Sequence, residues 1–154
     1  MELHNVVKQL NALPTYYIEI GVVSGKTNRK QVVKAAITNA EILFINENGS
    51  PIRHIPARPV LQMTIDWANA NLLQKTIDKC IDAYIQSNFS EDAIKKELNK
   101  MCIRMQNYAR HLIYDNDGRL QENAPSTIRQ KGFNHPLFQT GQLARSITCK
   151  LVDK

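Results

Sequence analysis

The sequence predicts an α+β fold, in which a small, mostly antiparallel sheet packs against long helices. Apolar and polar residues alternate in residues 16–23 and again in residues 145–152, as they do in half-buried strands. Between these stretches, apolar residues recur every three or four positions through residues 60–87 and 91–113, which is typical of amphipathic helices. The length of 154 residues suits one domain, so we assign residues 1–154 to a single unit.

The first two elements follow from short patterns near the N-terminus. Residues 1–14 predict an amphipathic helix that Pro14 ends, because proline disfavours helical backbone in the residue before it. One stripe of this helix is expected to carry Leu3, Val6, Val7 and Leu10. One face of the strand over residues 16–23 is expected to carry Tyr16, Ile18, Ile20 and Val22.

A turn and a second helix are expected next. Residues 24–28 are turn formers, and Asn28 suits the cap of a helix over residues 29–46. The Asn-Gly-Ser-Pro sequence at residues 48–51 ends that helix. Three prolines then predict an extended stretch over residues 51–59, because each proline restrains its own φ and disfavours helix in the preceding residue.

The two long helices are expected to form an antiparallel hairpin. Pro59 suits the first turn of the earlier helix, and Ser90 is expected to cap the later one, with Glu91 and Asp92 in its first turn. The stripe predicted for the earlier helix is Met63, Trp67, Ala70, Leu73, Ile77, Ile81 and Tyr84. The stripe predicted for the later helix is Ile94, Leu98, Cys102, Met105, Ala109 and Leu112.

Residues 114–139 show little periodicity and are rich in turn formers, so we expect a long loop there. Segments of this length without secondary structure are uncommon inside a compact domain and are often functional. The last strand follows, since Ile147, Cys149 and Leu151 alternate with polar neighbours.

Composition excludes several classes of protein. Lys and Arg total 20 against 14 Asp and Glu, and the net charge of +6 permits contact with nucleic acid or an acidic protein surface. No apolar run approaches the ~20 residues that cross a bilayer, and the N-terminus lacks the pattern of a secretory signal. Cys80, Cys102 and Cys149 form no CxxC pair, so neither a disulfide framework nor a zinc site is expected. Cys102 falls on an apolar stripe and is expected to be a packed thiol.

Two short motifs fail as ligand sites. The Gly-Lys-Thr sequence at residues 25–27 follows a strand as a phosphate-binding loop does, but the glycine required five positions earlier is Ile20. Residues 115–118 resemble part of a calcium loop, but Ile113 and Ala124 stand where the first and last carboxylate ligands belong. The sequence contains no zinc-protease helix and no nucleophile elbow. We therefore expect no enzymatic activity and assign no catalytic, cofactor-binding or metal-binding residue.

Basic residues are concentrated in the predicted loops and the last strand. They are Arg53, Arg58, Arg119, Arg129, Lys131, Arg145 and Lys150. Either they form an electropositive surface that faces DNA or an acidic partner, or they are ordinary solvated side chains. No aromatic residues are interleaved with them for base stacking, and the long helix pair is not a helix-turn-helix.

Two stretches of the sequence carry a family resemblance. The first, residues 55–61, reads Ile-Pro-Ala-Arg-Pro-Val-Leu. The second reads Ala-Pro-Ser-Thr-Ile-Arg-Gln-Lys-Gly over residues 124–132, followed by His-Pro-Leu-Phe-Gln-Thr-Gly-Gln-Leu-Ala-Arg-Ser-Ile over residues 135–147. Together they resemble the neck and tail-completion proteins of long-tailed bacteriophages, also described as virion morphogenesis or head–tail joining proteins. Order and spacing agree along residues 16–152.

The family pattern has an IPARPFL segment before a long helix, then NxxSTIxxKG, then PLxDTGxLxxSI before a terminal strand. This sequence departs from it at three places. Gln139 stands where the family has Asp, and Val60 stands where it has Phe. Residues 47–49, Glu-Asn-Gly, stand where the family has Glu-Phe-Gly.

The resemblance implies a structural virion protein that works at the head–tail junction as a neck or tail-completion component. It implies assembly in the host cytoplasm, a homo-oligomeric ring, neighbouring phage neck and tail proteins as partners, and DNA in proximity. It implies neither a cofactor nor a membrane. A basic nucleic-acid-binding protein is the alternative that the net charge leaves open.

The proline-rich segment and the long loop are the candidate interfaces, since a ring needs two different contacting patches on each copy. Residues 56–59 form either a stiffened arm that docks on a neighbour or a rigid connector on their own helix. Arg58 has five donors that can hold a carboxylate or backbone carbonyls. Residues 114–139 are expected to thread into the next subunit. The candidate interface residues are Arg53, Ile55, Pro56, Arg58, Pro59, Arg129, Lys131, Thr140 and Gly141; Thr140 is also expected to cap a turn over Gly141 that aims Leu143 inward.

Overall fold

The structure is a computed structural model that describes residues 3–22 and 37–153. In chain order, the elements are helix α1 (Leu3–Asn11), strand β1 (Tyr16–Val22), helix α2 (Asn39–Asn48), a short 3-10 helix (Pro51–Arg53), helices α3 (Val60–Asn71), α4 (Leu73–Gln86), α5 (Glu91–Tyr114), α6 (Pro125–Lys131) and α7 (Gln142–Ser146), and strand β2 (Ile147–Asp153). None of these helices has both the length and the apolar composition needed to cross a membrane. The architecture is α+β, as the sequence predicts.

Strands β1 and β2 form a two-stranded antiparallel sheet that joins the two ends of the described chain. Tyr16 lies opposite Asp153, and Val22 lies opposite Ile147. The predicted face of β1 is confirmed. Its four residues all pack on the buried clusters of the protein; they are Tyr16, Ile18, Ile20 and Val22. β2 begins two residues later than predicted, since residues 145 and 146 complete α7.

Helix α5 is the central element, and it packs against α3, α4, α7 and both strands. The apolar stripe predicted for it is confirmed, with Leu98 alone among its members only half-buried. The predicted hairpin of α4 and α5 is also present, and its turn contains Asn88 and Phe89, both with positive φ (55° and 65°). Ser90 occupies the N-cap position of α5, but its side chain makes no capping hydrogen bond.

The helix predicted over residues 60–87 is wrong in two respects. It divides at Leu72 into α3 and α4, and Tyr84 is the only member of the predicted stripe that is buried, while Met63 and Trp67 are half-buried. Leu73, Ile77 and Ile81 are 41%, 42% and 40% exposed. The buried residues instead recur every four positions, at Val60, Thr64, Ala68, Leu72, Thr76, Cys80 and Tyr84.

Polar side chains on this buried face explain the error. Thr64 is fully buried, and its hydroxyl donates to the Val60 carbonyl oxygen at 2.7 Å, so burial leaves no donor unsatisfied. Thr64 and Thr76 are polar residue types, so they do not contribute to the apolar periodicity of the sequence. That periodicity instead predicts the neighbouring stripe, which contains Ile77 and Ile81.

The helix predicted over residues 29–46 is not continuous. Thr38 is extended (φ −79°, ψ 160°) and caps α2, where its hydroxyl accepts from the Glu41 backbone N–H and the Glu41 carboxylate accepts from the Thr38 backbone N–H. This capping box starts the helix at residue 39, because it satisfies N–H groups that a longer helix would already have paired. The predicted turn at residues 24–28, its Asn28 cap and residues 29–36 lie outside the described residues.

The extended conformation predicted for residues 51–59 is wrong in its first half. Ser50 and Ile55 exchange backbone hydrogen bonds of 2.8 and 2.9 Å, which closes a tight loop around the 3-10 helix. His54 completes this loop in the left-handed conformation (φ 52°). Pro51 is compatible with it, because proline suits the first position of a helical turn.

The long loop predicted over residues 114–139 contains a helix and packs on its own chain. Pro125 occupies the first turn of α6, and Gly132 ends it in the left-handed conformation (φ 79°). Leu120 joins the buried cluster around α5. The sequence therefore contained the signals for α6, a proline at its start and a glycine after its end.

Candidate protein-binding groove

The two segments that carry the family resemblance meet at one groove. Its volume is about 590 Å³, and it lies between the segment before α3 and the chain around α6. Five of the predicted interface residues line it, namely Arg53, Ile55, Pro56, Arg58 and Lys131. The structure therefore brings together residues that are far apart in the sequence.

Arg58 is the residue that joins the two segments. It is only 6% exposed, and its Nε donates to the Gln121 carbonyl oxygen at 2.6 Å. Nη2 donates to the Glu122 carbonyl oxygen at 2.7 Å, and Nη1 donates to Asn46 Oδ1 at 3.0 Å. Of the two partners expected for this guanidinium, backbone carbonyls are the ones it binds, and they belong to its own chain.

The charge of Arg58 has no carboxylate partner within the described residues. Burial lowers the pKa of the guanidinium, because the charged form loses contact with water. Carbonyl and amide oxygens supply partial negative charge only. The groove therefore keeps a net positive charge beneath its surface.

Gly49 and Glu47 hold the segment around Arg58 in place. Gly49 has a φ of 73°, and a Cβ atom there would lie 2.9 Å from the Ala57 nitrogen, so only glycine fits this close approach. The Glu47 carboxylate accepts from the backbone N–H groups of Leu61 (3.0 Å) and Gln62 (2.7 Å). This carboxylate caps the N-terminus of α3, where the helix dipole favours negative charge. The sequence predicts that Gly49 helps to end the preceding helix, and Gly49 does occupy its C-cap, but it does not predict the close approach to Ala57 or the cap by Glu47.

Lys131 and Arg53 add positive charge at the groove. Lys131 Nζ donates to the His135 carbonyl oxygen at 2.8 Å, and both burial and the charge of Arg58 lower the pKa of the ammonium. Arg53 is exposed, and its side chain makes no hydrogen bond or ion pair with any residue that the structure describes. Arg53 is thus the most available cation of the three.

Aromatic rings form a rigid wall of the groove. Phe138 lines the groove, and its ring stacks on the His135 ring with centroids 4.5 Å apart. The Tyr114 ring contacts Phe138 at an interplanar angle of 64°. His135 Nε2 lies 2.6 Å from the Ile113 carbonyl oxygen, which ties this wall to α5.

One buried donor at the groove has no partner. Asn123 lines the groove, and its backbone N–H donates to Asn134 Oδ1 at 3.2 Å. Its side-chain Nδ2 is buried but makes no hydrogen bond with the described part of the chain. A buried unsatisfied donor costs about 1–3 kcal/mol.

The other predicted interface residues lie outside the groove lining. Pro59 precedes α3, and Arg129 is exposed on α6. Thr140 does not cap α7 with its side chain, which corrects the expected role; its carbonyl oxygen accepts from Arg145 Nη2 at 3.0 Å. Gly141 takes the N-cap position with a φ of 71°, and Leu143 points inward as expected, with 2% exposure.

The three thiols, at Cys80, Cys102 and Cys149, are buried or half-buried. Burial raises the pKa of Cys80, whereas the contact between Cys102 and Cys149 lowers the pKa of Cys102 and, together with burial, raises the pKa of Cys149. Cys102 is buried as predicted. In residues 3–22 and 37–153, no three His, Cys, Asp or Glu side chains are grouped to hold a metal ion.

No protein-family model, curated protein or solved structure matches the chain. Function is therefore inferred from the geometry of the groove and from the motif resemblance.

Proposed function

We propose that this chain is a structural protein of a bacteriophage virion that acts at the head–tail junction, as a neck or tail-completion component. It assembles as a homo-oligomeric ring and binds neighbouring neck or tail proteins. It performs no chemistry and needs no cofactor.

The observation that supports this proposal is the meeting of the resemblance segments at one groove. Arg58, from the first stretch, donates to the backbone carbonyl oxygens of Gln121 and Glu122. These two residues lie 63 and 64 positions later in the chain, just ahead of the second stretch. Phe138, from the second stretch, lines the same groove as Ile55 and Pro56 from the first. A pattern shared over two distant stretches is expected when both build one surface.

The groove suits docking because its parts are already in place. The close approach at Gly49, the capped N-terminus of α3 and the stacked ring of Phe138 hold the walls without a partner. Binding to a preformed surface loses less conformational entropy than binding that must order a loop. The expected threading of residues 114–139 into another subunit therefore gives way, in this proposal, to a surface formed within one chain.

The geometry also divides the roles of the predicted interface residues. Arg58 is buried and its donors are bound within the chain, so it acts by positioning residues 121 and 122. Arg53 is exposed, and Lys131 is half-buried at the groove, so these two cations are available to a neighbour.

Deletion of the gene from the phage or prophage genome tests the proposal. We expect lysates that contain filled heads and separate tails by electron microscopy, with joining restored when the intact chain is supplied from a plasmid. Joined, infectious particles at normal titre in the deletion strain would contradict the proposal.

DNA binding by the purified chain, compared with the defect of the deletion strain, separates this function from the nucleic-acid-binding alternative. A nucleic-acid-binding role predicts that the purified chain binds duplex DNA with an affinity that falls steeply with salt, because cations bound to phosphates are released. The joining role predicts weak DNA binding and a defect confined to particle assembly.

A further inference from the structure

We propose that the groove binds a peptide segment of a neighbouring protein in which a carboxylate side chain lies beside apolar side chains. This inference relies on the proposed function only for the source of the segment, a neighbour in the particle. The occupant's chemistry follows from the charge and the apolar walls of the groove.

Charge is the first argument. Arg53, Arg58 and Lys131 line the groove, and no Asp or Glu among the described residues does so. Arg58 and Lys131 donate to backbone carbonyls, and the Arg53 guanidinium has no hydrogen-bond or ion-pair partner among the described residues. A carboxylate is the group that these cations attract most strongly, through charge-assisted hydrogen bonds.

The apolar walls are the second argument. Five apolar residues share the lining with the cations, namely Ile42, Ile55, Pro56, Leu137 and Phe138. The volume of about 590 Å³ falls in the range of small-ligand sites, roughly 300–1,000 Å³, and suits a few side chains of a peptide rather than the width of a duplex.

The aromatic wall also favours a peptide over single-stranded nucleic acid. Base binding needs an aromatic face that is free to stack. One face of the Phe138 ring is stacked on His135 and the ring is also contacted by Tyr114, so residues of the chain itself already occupy part of its surface.

Two matched pentapeptides test the proposal with the full chain. The acidic probe is acetylated, amidated Leu-Asp-Leu-Glu-Phe, and the control is Leu-Asn-Leu-Gln-Phe, which has the same shape without charge. We expect the acidic probe to bind about tenfold or more tightly at low salt, as one charge-assisted hydrogen bond allows. NMR titration of the ¹⁵N-labelled chain should shift the amides of Ile55, Asn123 and Lys131. Equal affinities for the two probes, or no binding of either, overturn the proposal.

Three variants locate the binding site. Arg53→Gln removes an exposed cation that makes no side-chain hydrogen bond or ion pair with the described residues, so we expect the fold to be retained and the preference for the acidic probe to fall about tenfold. Lys131→Met should act in the same direction. Arg129→Gln is the matched control, since Arg129 lies on the same helix outside the groove, and it should leave binding unchanged. An equal loss in the Arg129→Gln variant would overturn the assignment to the groove.

Duplex DNA and phage particles distinguish the remaining outcomes. Binding of a 20-base-pair duplex that disappears in Arg53→Gln, with no peptide binding, overturns the proposal in favour of nucleic acid. Selective binding of the acidic peptide, together with normally joined particles in the deletion strain, supports the groove's specificity and contradicts the head–tail function instead.

Discussion

The Arg58 guanidinium lies 2.6 Å from the Gln121 carbonyl oxygen, although the two residues are 63 positions apart in the chain. This hydrogen bond and the parallel one to Glu122 hold the chain ahead of α6 against the segment ahead of α3. The groove lies between these two segments, and the largely buried Arg58 is part of its lining.

Replacement of Arg58 by methionine should destabilise the protein. The variant leaves two backbone carbonyls and the Asn46 amide oxygen without their donor, which should lower the free energy of unfolding by about 2–4 kcal/mol. Urea unfolding followed by circular dichroism measures this change. The exposed Arg129→Met control should stay within about 0.5 kcal/mol of the wild type. Equal stabilities for the two variants would show that Arg58 does not hold the segments together.

This expectation changes how an Arg58→Ala phage should be interpreted. The sequence alone suggests a folded chain that fails to join heads to tails. Because Arg58 is buried and bonded within the chain, a joining defect in that variant would report folding together with binding. Arg53→Gln separates the two, since the Arg53 side chain is exposed and makes no hydrogen bond or ion pair with the described residues.

Alanine at Gly49 should be more harmful than alanine at Gly118. Both glycines have positive φ (73° and 87°), so both substitutions carry backbone strain. At Gly49 the new Cβ also meets the Ala57 nitrogen at 2.9 Å, whereas at Gly118 it meets nothing within 4 Å. We expect Gly49→Ala to lower the unfolding free energy by at least about 1 kcal/mol more than Gly118→Ala does. Indistinguishable urea midpoints would argue against the close approach.

Substitutions at Leu72, between α3 and α4, and at Ile77 on α4 test which face of this helical segment is buried. Leu72 is 8% exposed and Ile77 is 42% exposed, although the sequence predicts Ile77 on the core stripe. Leu72→Ala should cost about 2–4 kcal/mol of unfolding free energy, and Ile77→Ala less than about 1 kcal/mol. Thermal and urea unfolding of both variants measure the difference. A larger loss of unfolding free energy for Ile77→Ala than for Leu72→Ala would show that the stripe predicted from the sequence is the buried one.

The capping box at α2 predicts a pH dependence. Hydrogen bonds from Thr38 lower the pKa of Glu41 from its ordinary value of 4.5. A carboxyl group whose folded pKa is depressed stabilises the protein above the unfolded pKa, and this stability is lost as the pH falls through the folded pKa. The stability difference between wild type and Glu41→Gln should therefore be constant near neutral pH and shrink below about pH 4.5. A difference that persists unchanged to pH 3 would contradict the capping assignment.

The elements that the sequence predicts well are those whose periodicity matches their burial. Strand β1 alternates along its length, and α5 buries the predicted stripe that includes Cys102 and Met105. In both cases, apolar side chains alone form the buried face. Local patterns are then sufficient, because the pattern and the core use the same residues.

The elements that the sequence misses depend on contacts between distant residues or on polar burial. Thr64 and Thr76 are buried, whereas Ile77 of the predicted stripe is exposed, and no apolar pattern indicates this burial of polar residues. Helix α6 has no buried residue and only seven residues, so it carries no periodic signal. The groove arises from hydrogen bonds of Arg58 to backbone carbonyls, and carbonyls leave no trace in the side-chain sequence.

Photocrosslinking inside the particle tests most directly whether the groove holds a neighbouring protein. Ile52 is 95% exposed beside Arg53, and benzoylphenylalanine can replace it without disturbing a buried contact. Ile103, which is 59% exposed on α5, is the matched control position outside the groove. On irradiation of purified phage, we predict a covalent adduct between residue 52 and a virion protein, which Arg53→Gln weakens, and less adduct from residue 103. Particles that contain the chain but yield no adduct from residue 52 would contradict the account.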